Sequence, residues 1–341
     1  MVVGKWIDND TCTACSACIN ICPADALSMV EDDCGFFQVK VGPTCIECNK
    51  CKNICPIVNI LDKKNEVTLY AAKTKNESIR FESTSGGIFS EVAKYVLLNG
   101  GTVFGAAYTS DFMVAHTHIT KLSGLGKLRQ SKYVQSNIGL SFRQVKLLLD
   151  NGQHVLFVGT PCQIAGLYNY LGKEYDNLIL VDFICRGSNS NKAYRKWLLE
   201  LQQKYESTVS RVWFKNKCIS WNQFSTRVEF QNHKAYSQDR DHDCYIQGYI
   251  HYNLFIRKNC EQCTFKGIYN RISDITLGDY WGLANNLDDN LGTSVVLINS
   301  KKGESLLNEI RDEIIMIERP IDEMLKKNPM AIKSVVRNSS S

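Results

Sequence analysis

The sequence lacks the long apolar run of a membrane helix, which requires roughly 18 consecutive apolar residues. Residues 1–10 include Lys5, Asp8 and Asp10 and contain no apolar signal region. We therefore expect a cytoplasmic protein with no membrane span. The 40 Lys and Arg residues outnumber the 35 acidic residues only slightly and are interspersed with them. Because no basic block of the kind found in nucleic-acid-binding arms is present, we expect no nucleic-acid partner.

Two further motifs are missing. No G-x-G-x-x-G fingerprint follows a predicted strand, so the sequence does not indicate a nicotinamide site of the Rossmann type. The 6 histidines show no metal-ligand spacing. His116 and His118 lie on one face of a predicted strand, and we interpret them as structural residues.

Cysteine, by contrast, is abundant, with 15 in 341 residues. In a reducing compartment, closely spaced C-x-x-C motifs favour metal ligation over disulfides. The motif C-x-x-C-x-x-C-x-x-x-C-P occurs twice near the N-terminus, first as Cys12, Cys15, Cys18, Cys22 and Pro23, and then as Cys45, Cys48, Cys51, Cys55 and Pro56.

This repeat predicts a two-cluster ferredoxin module. Three cysteines at x-x intervals on a tight loop can ligate one cubane, whereas the fourth points away and ligates the other cluster. Two zinc knuckles are the alternative, but zinc sites commonly use two separated C-x-x-C pairs, which this pattern does not match. Cys34, between the runs, is interpreted as a small buried residue. The predicted ligand sets are Cys12, Cys15, Cys18 and Cys55 for one [4Fe–4S] cluster, and Cys45, Cys48, Cys51 and Cys22 for the other.

The pattern in the rest of the chain predicts a mixed α/β fold. After a polar stretch at 62–66, strand patterns alternate with helical ones, and the last two helices are predicted at 303–317 and 320–327. We expect residues 337–341 to be disordered. The predicted divisions are a two-[4Fe–4S] ferredoxin domain at 1–62, two parts of an α/β domain at 66–150 and 151–330, and a tail at 331–341.

A second cysteine constellation lies in the α/β region. Cys162 and Cys185 each directly follow an apolar strand, and Cys260 and Cys263 form a lone C-x-x-C. Strand ends of an open α/β sheet gather on its ligand-binding side, which would bring Cys162 and Cys185 together. Spacing alone leaves three possibilities open, namely a third metal site, a redox pair and half of a zinc site.

Several segments in this region resemble the coenzyme F420 hydrogenase/dehydrogenase beta-subunit family, and they occur in the order found there. The resemblance spans about residues 66–320. It implies a flavoprotein that binds FAD and a [4Fe–4S] cluster within the beta-subunit fold. Residues 66–150 and 151–330 would then be the two parts of a flavin domain, with a third cluster on Cys162, Cys185, Cys260 and Cys263. The matching segments are S-G-G-I-F at 85–89, S-K-Y-V-Q-S at 131–136, G-T-P-C-Q-I-A-G-L at 159–167, I-C-R-G at 184–187, C-E-Q-C-T-F-K-G at 260–267 and D-I-T-L-G-D-Y-W-G at 274–282.

The resemblance also suggests flavin contacts. Ser85, Gly86 and Gly87 open a predicted helix whose N–H groups suit a diphosphate, although such a sequence is more often a simple cap. Relatives commonly have His where Arg186 stands, which puts a proton-transfer role there in doubt, but Arg186 could stabilise an anionic flavin. Asp279 and Trp281 are candidates for lining the same pocket. The remaining candidate contacts are Lys132, Tyr133 and Gln135 for phosphate or isoalloxazine, and Thr160 and Gln163 for flavin ring atoms.

These features predict an iron–sulfur flavoprotein oxidoreductase that passes electrons between its clusters and an FAD acting on an unidentified organic substrate. Ferredoxin or another one-electron carrier is the expected partner, with coenzyme F420 as a further candidate. The alternative is an electron-transfer subunit of a larger redox complex with no substrate site of its own. We expect either a homo-oligomer or a complex subunit.

Overall fold

A computed structural model describes residues 10–284 and 286–337. The N-terminal iron–sulfur module contains two short helices and a hairpin that the sequence analysis did not anticipate. The hairpin pairs Leu27 with Val41 and Glu31 with Phe37. Its elements are α1 (Ala17–Ile21), β1 (Leu27–Glu31), β2 (Phe37–Val41) and α2 (Lys50–Asn53).

The α/β domain is built on an eight-stranded mixed sheet, which confirms the predicted fold class. Its first half contains β3 (Thr68–Thr74), α3 (Glu77–Glu82), α4 (Ile88–Leu98), β4 (Thr102–Tyr108), β5 (Val114–Ile119), α5 (Leu125–Leu128), α6 (Ser141–Asp150), β6 (Val155–Val158), α7 (Pro161–Leu171) and β7 (Leu178–Phe183). The second half contains α8 (Asn191–Tyr205), β8 (Val209–Asn216), β9 (Ser225–Phe230), β10 (Ala235–Asp239), α9 (Cys244–Ile246), β11 (Ile275–Asp279), β12 (Ser294–Ile298), α10 (Lys301–Glu309), β13 (Ile314–Glu318) and α11 (Ile321–Lys327).

The strand order of the main sheet is β13-β3-β12-β11-β7-β6-β4-β5. Strands β4, β6, β7 and β11 form its parallel centre, and antiparallel strands flank them on both sides. The carboxyl ends of the four parallel strands therefore share one edge, which is where α/β sheets place their ligands.

Helices cover both faces of this sheet. Helices α4, α5 and α10 bury their apolar side chains against one face. Helices α6 and α7 pack against the other, together with Cys15 and Ala17 of the iron–sulfur module. The module is therefore part of the packed structure, because α1 contacts both α6 and α7.

A second, three-stranded sheet of order β10-β9-β8 lies outside the main sheet. Its apolar core is shared with α8, through Tyr194, Trp197 and Phe214. Lys215 at the end of β8 and Phe224 before β9 lie beside the carboxyl edge of the main sheet, so this smaller sheet helps to enclose the space there.

The predicted helix at 303–317 is wrong in its second half. Helix α10 ends at Glu309, and Ile314–Glu318 forms an edge strand antiparallel to β3, with Ile314 opposite Thr74. The run of β-branched residues favours a strand. Pairing with the free hydrogen-bonding groups of β3 stabilises this strand more than the local helical periodicity would stabilise a helix.

Of the predicted tail at 331–341, residues 338–341 lie outside the described residues. Val335 is buried against Tyr249 and Ile256, and the backbone N–H of Arg337 donates to Glu261 at 2.8 Å. The segment up to residue 337 is therefore part of the packed structure. In the part of the chain that the structure describes, no helix is long and apolar enough to cross a membrane.

Candidate functional site

Both cysteine runs fold into tight loops with the same backbone pattern. Ala14 and Ser16 in the first run, and Glu47 and Asn49 in the second, have left-handed φ values of 54°, 66°, 53° and 59°. Non-glycine residues adopt this conformation rarely and at some cost in free energy. Its repetition at equivalent positions shows that the sequence repeat is also a structural repeat.

The inner group comprises Cys12, Cys15, Cys18 and Cys55. Burial raises the pKa of the Cys18 thiol well above its usual value, and the nearby Cys15, Cys12 and Cys55 raise it further. Cys55 belongs to the second run, so the chain exchanges its fourth cysteines between runs, as the predicted ligand set requires. A backbone N–H also points at this group, from Ala14 to Cys12 Sγ at 3.4 Å.

The second predicted ligand set, Cys22, Cys45, Cys48 and Cys51, is here called the outer group. Cys51 lies close enough to Cys48 and Cys22 for their charges to raise its pKa, although burial is the larger cause. The N–H of Ala26 donates to Cys22 Sγ at 3.3 Å. Cys48 is exposed, so this group lies at the surface. Cys34, which we expected to be buried, is also exposed, because it lies at the tip of the β1–β2 hairpin.

The third group is formed by Cys162 in the first turn of α7, Cys185 after β7, and the pair Cys260 and Cys263 on a short 3-10 helix and its cap. All four line a cavity of about 310 Å³, here called the small cavity. Burial raises the pKa of the Cys185 thiol to about 12, so this thiol stays protonated unless a cation or metal ion compensates its charge.

The small cavity is rich in positive charge. Lys258 pairs with Asp10 and Arg271 pairs with Asp182. Arg257 and Lys266, however, form no ion pair with any described residue. Buried cations without a counter-charge are unfavourable, so this cavity suits an anionic occupant. A cubane bound by four thiolates carries net negative charge and fits these donors.

Among residues 10–284 and 286–337, no three His, Cys, Asp or Glu side chains converge as they would around a single metal ion. Four sulfurs on one zinc ion would stand about 3.8 Å apart, given its Zn–S bond length. A cubane carries its four thiolates on four different irons, so its ligands are spaced more widely. A cubane therefore does not require its four cysteine sulfurs to converge on one point.

The inner and third groups adjoin each other through α7. The charge of Cys15 acts on Cys162, which lies at the start of this helix. One turn further on, Gly166 lies against Cys15, since a Cβ at position 166 would be only 2.9 Å from Cys15 Sγ. A single helix therefore contributes a cysteine to the third group and forms the wall behind the inner group.

A large cavity of about 630 Å³ lies at the carboxyl edge of the main sheet. It is lined by the ends of β6, β7 and β11, by the start of α4 and by the segment 128–136. Cys185, Arg186, Gly187 and Ser188 line both cavities. The third group is therefore separated from the large cavity by only this one segment.

Most of the predicted flavin contacts line the large cavity. Gly86 does not, because its missing side chain makes room for the sheet, where a Cβ would lie 2.3 Å from the Ala72 carbonyl oxygen. Gly87 has a φ of 85° and is the N-cap of α4. The predicted residues that do line this cavity are Ser85, Gly87, Lys132, Tyr133, Gln135, Thr160, Gln163 and Arg186.

The polar side chains around the large cavity differ in whether their hydrogen-bonding groups already have partners within the protein. Both ends of the Gln163 amide are engaged, with the Thr160 N–H at 3.0 Å and the Ser136 carbonyl at 3.2 Å. In the described part of the chain, buried polar atoms without a hydrogen-bond partner include Gln135 Oε1, Arg186 Nε and Asn189 Oδ1, all on cavity-lining residues. Buried polar groups are rarely left unpaired, so these three atoms are available to bind a polar ligand.

Sequence reasoning missed Lys215. Its ammonium lies in the cavity wall, paired with Asp279 and hydrogen-bonded to Tyr133. It lies 4.9 Å from the centre of the Trp281 ring. Asp279 and Trp281 had been singled out, but their partner lies more than 60 positions earlier in the chain. The only local signal was a lysine at a buried position of a strand.

His116 also lines the cavity. Its Nε2 is 2.9 Å from the Val158 carbonyl, which can only accept, so Nε2 carries the proton. Nδ1 then accepts from the Ser136 hydroxyl at 2.7 Å. Burial lowers the pKa of His116 to about 4, so the ring is neutral at physiological pH. Both ring nitrogens are used within the protein, in keeping with the structural interpretation of this residue.

The fold and these cysteine groups define a mixed α/β protein with an N-terminal ferredoxin-type iron–sulfur module. The family model for the C terminus of the coenzyme F420 hydrogenase/dehydrogenase beta subunit matches residues 152–324, and the 4Fe-4S binding domain model matches residues 5–28. The chain belongs to the coenzyme F420 hydrogenase/dehydrogenase beta-subunit family, which confirms the resemblance seen in its sequence. It is an iron–sulfur protein of a redox family.

One solved structure shows how far the fold likeness extends. A chain from the xenon-derivatised F420-reducing [NiFe] hydrogenase complex of Methanosarcina barkeri has a TM-score of 0.53 and 16% sequence identity. The match covers 79% of this chain and 88% of that chain. At this identity the likeness concerns the fold alone. A comparison with curated protein sequences gave no match.

Proposed function

We propose that this protein is an oxidoreductase in which three [4Fe–4S] clusters and an FAD form one electron path to a small organic substrate. The outer, inner and third cysteine groups would each hold a cluster, and the large cavity would hold the FAD. The observation that supports this most strongly is that the proposed cofactor sites adjoin one another. The inner group adjoins the third through α7, and the small and large cavities share the segment from Cys185 to Ser188.

The large cavity suits FAD in size, charge and polarity. Helix α4 offers its N-terminal N–H groups to a diphosphate, and Gly87 at its cap leaves the approach open. Among the described residues, Lys132, Arg186 and Lys327 of the cavity wall form no ion pair. The unpartnered atoms of Gln135 and Arg186 are the most direct candidates for contacts with the cofactor.

When bound, FAD exchanges two electrons with an organic molecule and single electrons with iron–sulfur clusters, so it can connect the two kinds of carrier. The protein's own residues would orient the cofactor and set its charge environment. Arg186 is well placed for this role, because it lies between the two cavities and is held by Ile250 and by Asn253 Oδ1, the latter at 2.7 Å.

Iron analysis tests the number of clusters. Protein purified without oxygen should contain about twelve irons and as many acid-labile sulfides per chain. The double substitution Cys260→Ala and Cys263→Ala should lower this to about eight, while Cys218→Ala and Cys244→Ala, which change exposed cysteines outside the three groups, should leave it at about twelve. A wild-type content of about eight, or zinc without sulfide, would contradict the proposal.

Release of the flavin tests the proposal that the large cavity holds FAD. Protein denatured after anaerobic purification should release FAD at about one per chain, identified by chromatography. Only Oε1 of Gln135 lacks a partner among the described residues, because Nε2 donates to the Thr13 carbonyl at 3.0 Å. Gln135→Leu should weaken FAD binding, and iron analysis of the same variant checks that the cysteine loop around Thr13 is retained. If no flavin is released and added FAD does not bind to the apoprotein, the large cavity has another ligand.

A second candidate is an electron-transfer subunit without a substrate site of its own. The solved relative is a chain of a hydrogenase complex, and the exposed Cys48 places the outer group within reach of a partner. An anaerobic screen with reduced ferredoxin, reduced coenzyme F420 and NAD(P)H as donors distinguishes the candidates. Turnover of an organic acceptor by the isolated chain supports the enzyme, whereas reduction of clusters and flavin without turnover supports the subunit. In either role we propose a cytoplasmic protein acting as a homo-oligomer or complex subunit.

A further inference from the structure

Arg257 connects the inner cysteine group to the third. Its backbone N–H donates to the Ser188 carbonyl at 2.9 Å, and its own carbonyl accepts from the Cys260 N–H at 3.0 Å. Its side chain extends to the iron–sulfur module, where Nε donates to the Cys12 carbonyl at 2.9 Å and Nη1 to the Phe37 carbonyl at 2.7 Å. One residue thus contacts the loops that carry cysteines of both groups.

The charge of this side chain is not neutralised by the protein. Arg257 is only 3% exposed, and no carboxylate in residues 10–284 and 286–337 pairs with it. Two of its neighbours in the small cavity wall are paired, Lys258 with Asp10 and Arg271 with Asp182, whereas Lys266 is not paired with any described residue. A buried guanidinium bonded only to neutral carbonyls needs a negative charge nearby. Besides Glu261 of the same cavity wall, the cysteine groups on either side are the available sources, and Arg257 already acts electrostatically on Cys260.

We infer that Arg257 is a positioning residue whose charge stabilises the reduced state of the clusters on the inner and third groups, and so sets the energy of the electron step between them. The inference rests on the proposed function, because it requires clusters at both sites. Reduction adds one electron to a cluster that is already anionic. A fixed cation beside it favours that state and makes its midpoint potential less negative.

Arg143 is a matched control, because it makes similar hydrogen bonds to the iron–sulfur module but its charge is neutralised by a carboxylate. Arg143 also holds the module through main-chain carbonyls, donating to Asn20 at 2.7 Å and to Cys22 at 2.9 Å. Its charge, however, is paired with Asp25 at 2.6 Å, and its side chain is one-third exposed. If carbonyl hydrogen bonds alone mattered, the two arginines would behave alike.

Redox titration followed by electron paramagnetic resonance tests the inference on the full chain. The proteins compared are the wild type, Arg257→Gln, Arg257→Lys and Arg143→Gln, each with iron and sulfide determined first. Signals are assigned with the Cys260→Ala, Cys263→Ala double variant, which lacks the third cluster. Arg257→Gln should shift the inner and third midpoints to more negative potential and leave the outer one nearly unchanged. Arg257→Lys, which keeps the charge, and Arg143→Gln should leave all three near their wild-type values.

Unchanged midpoints in Arg257→Gln at full iron content overturn the inference, as does an equal shift in Arg143→Gln or in Arg257→Lys. If Arg257→Gln loses the third cluster while Arg257→Lys retains it, the inner midpoint decides: a negative shift there in Arg257→Gln alone supports the inference, and an unchanged inner midpoint overturns it. If both substitutions lose it, the role is structural and the inference fails. A wild-type protein with only about eight irons instead contradicts the proposed function.

Discussion

At the scale of single residues, Lys132 shows how the large cavity favours an anionic ligand. Its ammonium donates to the carbonyls of Arg129 at 2.9 Å and Gln130 at 3.3 Å, and it lies 5.5 Å from the centre of the Tyr108 ring. Burial lowers its pKa to about 7. Without a ligand, this lysine therefore loses much of its charge near neutral pH, and an anion bound beside it would restore the charge.

We predict that FAD binds more weakly to the flavin-free protein as pH rises above about 7. The neutral lysine must then take up a proton on binding, so affinity should fall by up to about tenfold per pH unit. Lys132→Gln should bind FAD more weakly at pH 6 and show a flatter pH profile. Equilibrium titrations between pH 6 and 9 measure this, with Lys127→Gln, an exposed lysine nearby, as control. A wild-type affinity that does not change with pH would rule out a role for the Lys132 charge.

At the scale of elements, α7 combines several tasks. Thr160 caps it, accepting from the Gln163 N–H, and the Gln163 side chain accepts from the Thr160 N–H in return. The Thr160 hydroxyl also lies 3.1 Å from Cys162 Sγ. The start of this helix thus fixes a cysteine of the third group, and its middle packs against the inner group through Gly166.

Gly166→Ala should therefore disturb the inner group specifically. The added methyl would lie 2.9 Å from Cys15 Sγ, so either the helix or the cysteine loop must move. We expect destabilisation of about 1–3 kcal/mol, as for other overpacked cores, together with partial loss of iron. Gly126→Ala in α5, where the methyl meets no atom within 4 Å, should be neutral or slightly stabilising. Denaturant unfolding and iron analysis test both variants, and equal behaviour of the two would contradict this packing argument.

At the scale of the whole molecule, the three cysteine groups run from the surface inwards to the large cavity. The outer group contains the exposed Cys48, and Ile46 in the same loop is 65% exposed. Lys50 and Lys52 on α2 are also exposed and form no ion pair with the described residues. An apolar centre beside unpaired lysines is suited to transient docking of an acidic one-electron carrier.

Charge reversal at this surface tests that interpretation. Lys50→Glu with Lys52→Glu should slow reduction by an acidic reduced ferredoxin about tenfold or more at low ionic strength, and the wild-type rate should fall as salt is added. Photoreduction by a small neutral donor should be unaffected, because it needs no docking surface. The control pair Lys121→Glu and Lys127→Glu lies on exposed positions near α5. Stopped-flow rates that are the same for both pairs would place the docking surface elsewhere.

Much of the fold and site could be predicted because the signals are local. The strands of the parallel centre and the helices between them follow short apolar patterns, and the two cysteine runs carry their spacing within a few residues. The edge strand β13 could not be predicted from such a pattern, because its pairing with β3 involves residues more than 200 positions earlier in the chain.

By itself, the sequence determined the cysteine repeat, the mixed α/β class and the family, since each depends on residue types at short fixed intervals. Only the tertiary structure decided which side chains complete the site. It placed Gly86 against the sheet and away from the cavity, paired Lys215 with Asp279, and brought Arg257 to Cys12 across 245 positions. These contacts depend on how separate strands and loops meet, and a buried charge acquires its partners only when the chain has folded around it.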